Sequence, residues 1–165
     1  MSQIEALLAE LRSARQYTVE LIESTNTADW FRMPVKVTHV AWQVAHLAVA
    51  QYHLCLARIR GRAAGDEALI SPEILKHFGK GSVPDPDAAR NPSADEIRAT
   101  FDRVHDQVLS ELAQLRDSTL DEPVAQPHPR FTIKSGALAW AAQHERIHAG
   151  QIALLRRELG AEPLR

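Results

Sequence analysis

Apolar residues recur along this chain at three- and four-residue steps, the period of a helix with one buried face. In the first segment Ile4, Leu7, Leu8, Leu11, Ala14, Thr18, Leu21 and Ile22 form one stripe. Ser2 and Glu5 stand before it at capping-box spacing, and the run Ser24-Thr25-Asn26-Thr27 ends it. A second helix is predicted from a Thr38 N-cap through Trp42, Leu47, Tyr52, Leu56 and Ile59 to Gly61, a natural stop. Ser93 and Glu96 make another capping-box pair and open a third helix, with Ile97, Phe101, Val104, Val108, Leu112 and Leu115 as its stripe. The fourth starts between Thr132 and Ser135, carries Ala137, Leu138, Ala141, Ile147, Ile152, Leu155 and Leu159, and ends at Gly160. No run alternates in the manner of a strand, and no internal repeat is visible.

The segments between these helices differ in character. Residues 26–37 carry Trp30, Phe31 and Met33 ahead of Pro34, so this loop is expected to pack over the core. Residues 62–92 hold one helix start, Ser71-Pro72-Glu73, predicting a short helix over 72–78. Gly79, Gly81, Pro84, Pro86 and Pro92 then preclude regular structure. So long a connection exceeds what antiparallel neighbours need and can cross a bundle end to end, leaving helices two and three parallel. A further irregular loop, 117–131, contains Pro123, Pro127 and Pro129. The expected fold is all-α: a four-helix bundle with a long crossover between helices two and three, one domain over 1–165.

Candidate chemistry begins on the fourth helix, at His144-Glu145-Arg146-Ile147-His148. Histidines four apart share a helical face, with imidazoles about 6 Å apart, close enough to share an ion. On an apolar stripe two unpartnered imidazoles would be costly. Of the eight histidines, His39, His46 and His53 lie on nearly one face of helix two, seven residues apart. Seven residues rise about 10.5 Å, so only one of them can reach the same ion. His46, inside Val44-Ala45-His46-Leu47-Ala48-Val49, is the best placed. His39 and His53 lie nearer the helix ends and are expected to be partly solvated. His105, among Arg103, Asp106 and Gln107, reads as a solvent-face histidine, and His77 and His128 as loop histidines.

Composition narrows the class without changing this picture. A formal charge of −2 gives no pull towards nucleic acid or an anionic membrane. The single cysteine, Cys55, excludes an internal disulfide and suits a reducing cytoplasm. Met1-Ser2-Gln3-Ile4-Glu5 has neither the cationic region nor the apolar core of an export signal, so a cytoplasmic protein is expected, and no apolar run is long enough to span a membrane.

The stretch Trp42-Gln43-Val44-Ala45-His46-Leu47-Ala48, followed by His144-Glu145-Arg146-Ile147-His148-Ala149-Gly150-Gln151-Ile152, resembles the DinB/YfiT-like superfamily of metalloenzymes. The Asn91-Pro92-Ser93 entry to helix three is similar as well, and the resemblance covers essentially the whole chain. It implies an up-down-down-up bundle, a homodimer, and a divalent metal held by His46, His144 and His148. Many relatives carry histidine where this chain has Gln43, which makes a fourth protein ligand there unexpected. The pentapeptide also fits the zincin pattern His-Glu-x-x-His with Glu145 as general base. Its metzincin extension fails, however, at Gln151 and Leu154, where glycine and histidine are required.

Three neutral imidazoles leave an ion its full charge and open positions, the pattern of a reactive site. Zinc or nickel suits imidazole best, and iron or manganese is compatible. Gln43 and Gln151, one turn from a ligand, are candidates to orient water or substrate. Glu145 reads as a solvent, interface or supporting carboxylate. The function the resemblance favours is a thiol-dependent S-transferase acting on a small-molecule substrate, since relatives include enzymes that use low-molecular-weight thiols such as bacillithiol or mycothiol. A hydrolase using metal-bound hydroxide and a non-catalytic metal-binding stress-response protein are the alternatives. A transferase of this kind calls for cations near the ion, and Arg58, Arg60 and Arg62 cluster at the end of helix two.

Overall fold

Each long helix starts where a side chain satisfies its free amides. In a computed structural model describing residues 1–164, α1 (Gln3–Glu23) opens with the full capping box. Ser2 Oγ accepts from the Glu5 amide, and Glu5 accepts from the Ser2 amide. Asp117 adds a cap from across the fold by accepting from the Gln3 and Ile4 amides. α2 (Val40–Tyr52) begins one residue later than the Thr38 cap predicts. His39 is the N-cap, its Nδ1 accepting from the Trp42 amide at 3.1 Å while its Nε2–H donates to the Asp85 carbonyl at 3.0 Å. That double role buries His39 completely, contrary to the partly solvated position expected.

The helix does not run regularly to Gly61. A π-turn, His53–Ala57, interrupts it before the short α3 (Arg58–Arg60). Such turns rotate the following residues relative to an unbroken helix and concentrate at functional sites. Gly61 then takes φ +86°, a left-handed conformation that ends the helix. The long connection carries α4 (Asp66–Leu69) and α5 (Pro72–His77), the latter where Ser71-Pro72 predicts it. α6 (Ala94–Leu112) is capped by Ser93. α7 (Lys134–Glu158) ends in a Schellman closure, with Gly160 at φ +91° and the Ala161 amide donating to Arg156.

The described residues are all-helical apart from irregular segments and one isolated bridge, Pro123 to Ile133. α1 packs mainly against α7, and α2 against α6 and α7. No helix of the described residues is long and apolar enough to cross a membrane. Trp30 is buried in the core and Phe31 packs against it, as the loop reading requires. Ile147 departs from its assigned stripe: it is 51% exposed, because the seam of α7 follows Leu138, Ala141, Glu145, His148 and Ile152 instead.

A buried polar network ties the four long helices together. Arg15 of α1, 5% exposed, donates from Nε to Glu145 of α7 at 2.7 Å and from Nη1 to the Phe101 carbonyl of α6 at 2.8 Å. Its Nη2 reaches Gln51 of α2 at 2.8 Å, and its guanidinium lies over the Phe101 ring. Gln51 in turn bonds His105. His105 is therefore 8% exposed and not on a solvent face. Burial, and then the Arg15 and Arg12 charges, push its pKa down to about 3. Glu145, 2% exposed, is likewise no solvent carboxylate; it neutralises Arg15 inside the core.

Candidate metal centre

His46, from the middle of α2, meets His144 and His148 of α7, so the spacing argument and the fold agree on which histidines come together. One nitrogen from each lies within 4.8 Å of the other two. His144 Nε2 and His148 Nε2 are 3.2 Å apart. Two imidazole nitrogens bound at about 2.1 Å to one ion stand about 3.0–3.4 Å apart at octahedral or tetrahedral angles. The α7 pair therefore already has the separation of two ligands, and a neutral, all-nitrogen donor set suits a divalent transition ion. His39 and His53 do not join the cluster, and neither do His77, His105 or His128.

The other ring nitrogen of two of these residues is spoken for. His46 Nδ1–H donates to the Phe78 carbonyl at 2.7 Å, which leaves the Nε2 lone pair free. His148 Nδ1–H donates to Gln43 Oε1, and Gln43 holds that orientation by donating to Thr38 Oγ1 at 2.9 Å. Hydrogen-bonded supports of this kind fix the tautomer and the ring orientation of a ligand. Trp42 stacks flat on His46, its ring 4.6 Å away and tilted by 7°, and its indole N–H donates to Ser82 at 3.0 Å. Phe78 and Ser82 belong to the long connection, so that segment orients His46 as well as joining α3 to α6.

His46 and His148 are 8% and 9% exposed, and His144 is half-buried. Burial lowers the pKa of all three. For His144 and His148 the neighbouring imidazoles add to it, bringing them to about 4 and about 3. Neutral rings are the metal-binding form at neutral pH.

Gln43 thus has a role, although it supports a histidine and does not reach into open space. Gln151 is exposed on the outer side of α7, away from the seam. Glu145 spends both carboxylate oxygens on Arg15, which removes the basis of the zincin reading. The supporting contacts from Phe78 and Ser82 had no sequence signal. That of Gln43 did, since it sits one turn before His46 on the same face.

His46 and His144 also form part of the wall of a cavity of about 860 Å³. Its apolar lining includes Val49, Leu54 and Trp140, and His53 lines it from the π-turn. Of the predicted arginine cluster only Arg58 lines it. Arg60 turns away to pair with Asp66 and Glu111.

No curated protein matches the chain. A family model does, over residues 10–152, a span that takes in Gln43, His46 and the His144/His148 pair. This chain belongs to the DinB superfamily.

Proposed function

We propose that this protein is a divalent-metal-dependent enzyme with His46, His144 and His148 as ligands, acting as a thiol-dependent S-transferase on a small electrophile. The observation that carries the reading is the convergence of three neutral imidazoles, two of them held by hydrogen bonds, beside a cavity large enough for a small molecule. An ion there supplies Lewis-acid chemistry and lowers the pKa of a thiol or water that binds it. The chain does the rest. Phe78 and Gln43 hold two rings in their ligating tautomer, Trp42 and Ser82 brace His46, and Trp140 lines the cavity where a substrate body would lie.

A hydrolase is the second reading. His53 faces the same cavity, and burial with the Arg62 and Arg58 charges keeps its ring neutral, its pKa down to about 4. A neutral imidazole there can accept a hydrogen bond from water.

The fold reading extends to an up-down-down-up four-helix bundle, supported by the packing of α1 on α7 and of α2 on α6. It extends also to a homodimer. Ile147 and Leu154, seven residues apart on the outer face of α7, are 51% and 50% exposed.

The test is consumption of low-molecular-weight thiols in the presence of an activated alkyl halide or epoxide by zinc- or nickel-loaded protein, beside a His144→Ala variant. Metal- and His144-dependent thiol loss supports the transferase. Ester or amide cleavage without thiol loss moves the assignment to the hydrolase.

A further inference from the structure

Three cations face the cavity beside the imidazoles: Arg58 in its wall, Lys80 and Arg130 at its rim. No aspartate or glutamate is among the lining residues. Some cations of the fold are neutralised where they stand. Arg15, Arg60, Arg98 and Lys134 each meet a carboxylate. Among the described residues Arg58, Lys80 and Arg130 have no ion pair, and the Arg130 guanidinium lies over the face of Trp140, its carbon 4.5 Å from the ring centre.

Several features show that the three act on one space. His128, another lining residue, has its pKa lowered by burial and then by Arg58, Arg130 and Lys80 together, so their fields overlap at one ring. Arg58 is fixed by its place at the end of the π-turn and by its carbonyl, which accepts from the Ala125 amide at 2.7 Å. That bond draws the loop carrying His128 and Arg130 against the cavity. Arg58 Nε is buried with no hydrogen-bond partner, a donor left open in a place where open donors are costly. Three like charges around a partly apolar space repel one another unless an anion enters.

We propose that this rim is a subsite for a small organic oxyanion, a carboxylate or phosphate group carried by the substrate or co-substrate whose reacting end lies at the three imidazoles. The inference rests on the enzyme reading above, which supplies the reacting end. Arg58 offers the planar fork that matches either oxyanion, with Lys80 and Arg130 as further charges, and the Trp140 side of the cavity takes the apolar body. A substrate therefore spans from an anionic head at Arg58 to a soft or polar atom at the histidines.

Calorimetric titration of benzoate, phenyl phosphate and uncharged benzyl alcohol tests this, on zinc-loaded and on metal-free protein. The proteins are wild type, Arg58→Gln and Lys80→Gln/Arg130→Gln, with folding checked by circular dichroism. The expected result is that at least one anion binds wild type tenfold or more tighter than benzyl alcohol. Arg58→Gln should weaken that anion about tenfold while zinc content stays unchanged, and the anion preference should survive in metal-free protein. The stronger of the two anions assigns the head as carboxylate or phosphate. Anion affinity that is equal in wild type and both variants overturns the subsite, as does affinity that depends on zinc alone. Failure to take up zinc refutes the metal reading separately, because the metal-free titrations still decide the subsite.

Discussion

Replacing Glu145 separates a structural carboxylate from a catalytic one. Glu145→Ala leaves the Arg15 guanidinium, 5% exposed, with the Phe101 carbonyl and Gln51 but no counter-charge. Breaking a buried pair by removing one partner costs about 3–5 kcal/mol. With a urea slope of about 2 kcal/mol per molar for a chain of this size, the midpoint falls by about 1.5–2.5 M. With a total stability in the middle of the usual range of about 5–15 kcal/mol, the variant still folds in water. Urea unfolding followed by far-ultraviolet circular dichroism gives the shift, and metal content is measured on the folded variant. The expected result is a large stability loss with metal stoichiometry retained. Arg15→Met/Glu145→Leu should recover much of the loss, because replacing both partners by apolar residues removes the buried charge altogether. A Glu145→Ala protein as stable as wild type that no longer binds metal would refute the reasoning and return Glu145 to the site.

Other outcomes follow from the same contacts. Gln43→Leu, which removes the acceptor holding His148 Nδ1–H, should weaken metal affinity about 10–100-fold with little change in stability, read by competition with a chromogenic chelator. His105 has a folded pKa of about 3 against an unfolded 6.5, so below pH 6.5 the unfolded chain binds the proton first and stability falls as pH falls, levelling out only near pH 3. At pH 5 this group alone costs about 2 kcal/mol relative to pH 8, and His105→Asn should show that much less pH dependence in urea titrations. Cys55 is fully buried and its thiol is pushed far above its ordinary pKa by burial and by the Glu145 charge. It should stay unreactive to an aromatic disulfide reagent in native protein and react fully in denaturant.

The elements that periodicity and capping specify were readable from the chain: the four long helices, their Ser2, Ser93 and Gly160 ends, and the short helix after Ser71. So was the meeting of His46 with His144 and His148, because seven-residue spacing leaves room for only one histidine of α2. The misreadings have physical causes. Arg103, Asp106 and Gln107 give His105 polar sequence neighbours, yet residues one or two apart point to other faces of a helix. Its true neighbours on the seam are Phe101, Val108 and Leu112, which are all buried. Arg15 continues the seam Ile4, Leu8, Leu11, Thr18 and Ile22, and a cation at such a position calls for a buried partner. The Glu145 side of that pair has the same signature on the seam of α7. Thr38 is a commoner cap than an imidazole, which hid the role of His39. The π-turn at His53–Ala57, and with it the aim of Arg58, has no marker in the residues that form it. The contacts from Phe78 and Ser82 depend on how a long connection folds back, which no local pattern encodes.

The most direct test of the three-histidine site is metal uptake by equilibrium dialysis against zinc and, separately, nickel, read by elemental mass spectrometry. It should be run on untagged wild type and on His46→Ala, His144→Ala and His148→Ala, each shown to be folded. Close to one ion per chain is expected in wild type, and a loss of at least a hundredfold in affinity in each variant. Uptake unchanged by any one of the three substitutions, or no uptake by folded wild type, would contradict the three-histidine site.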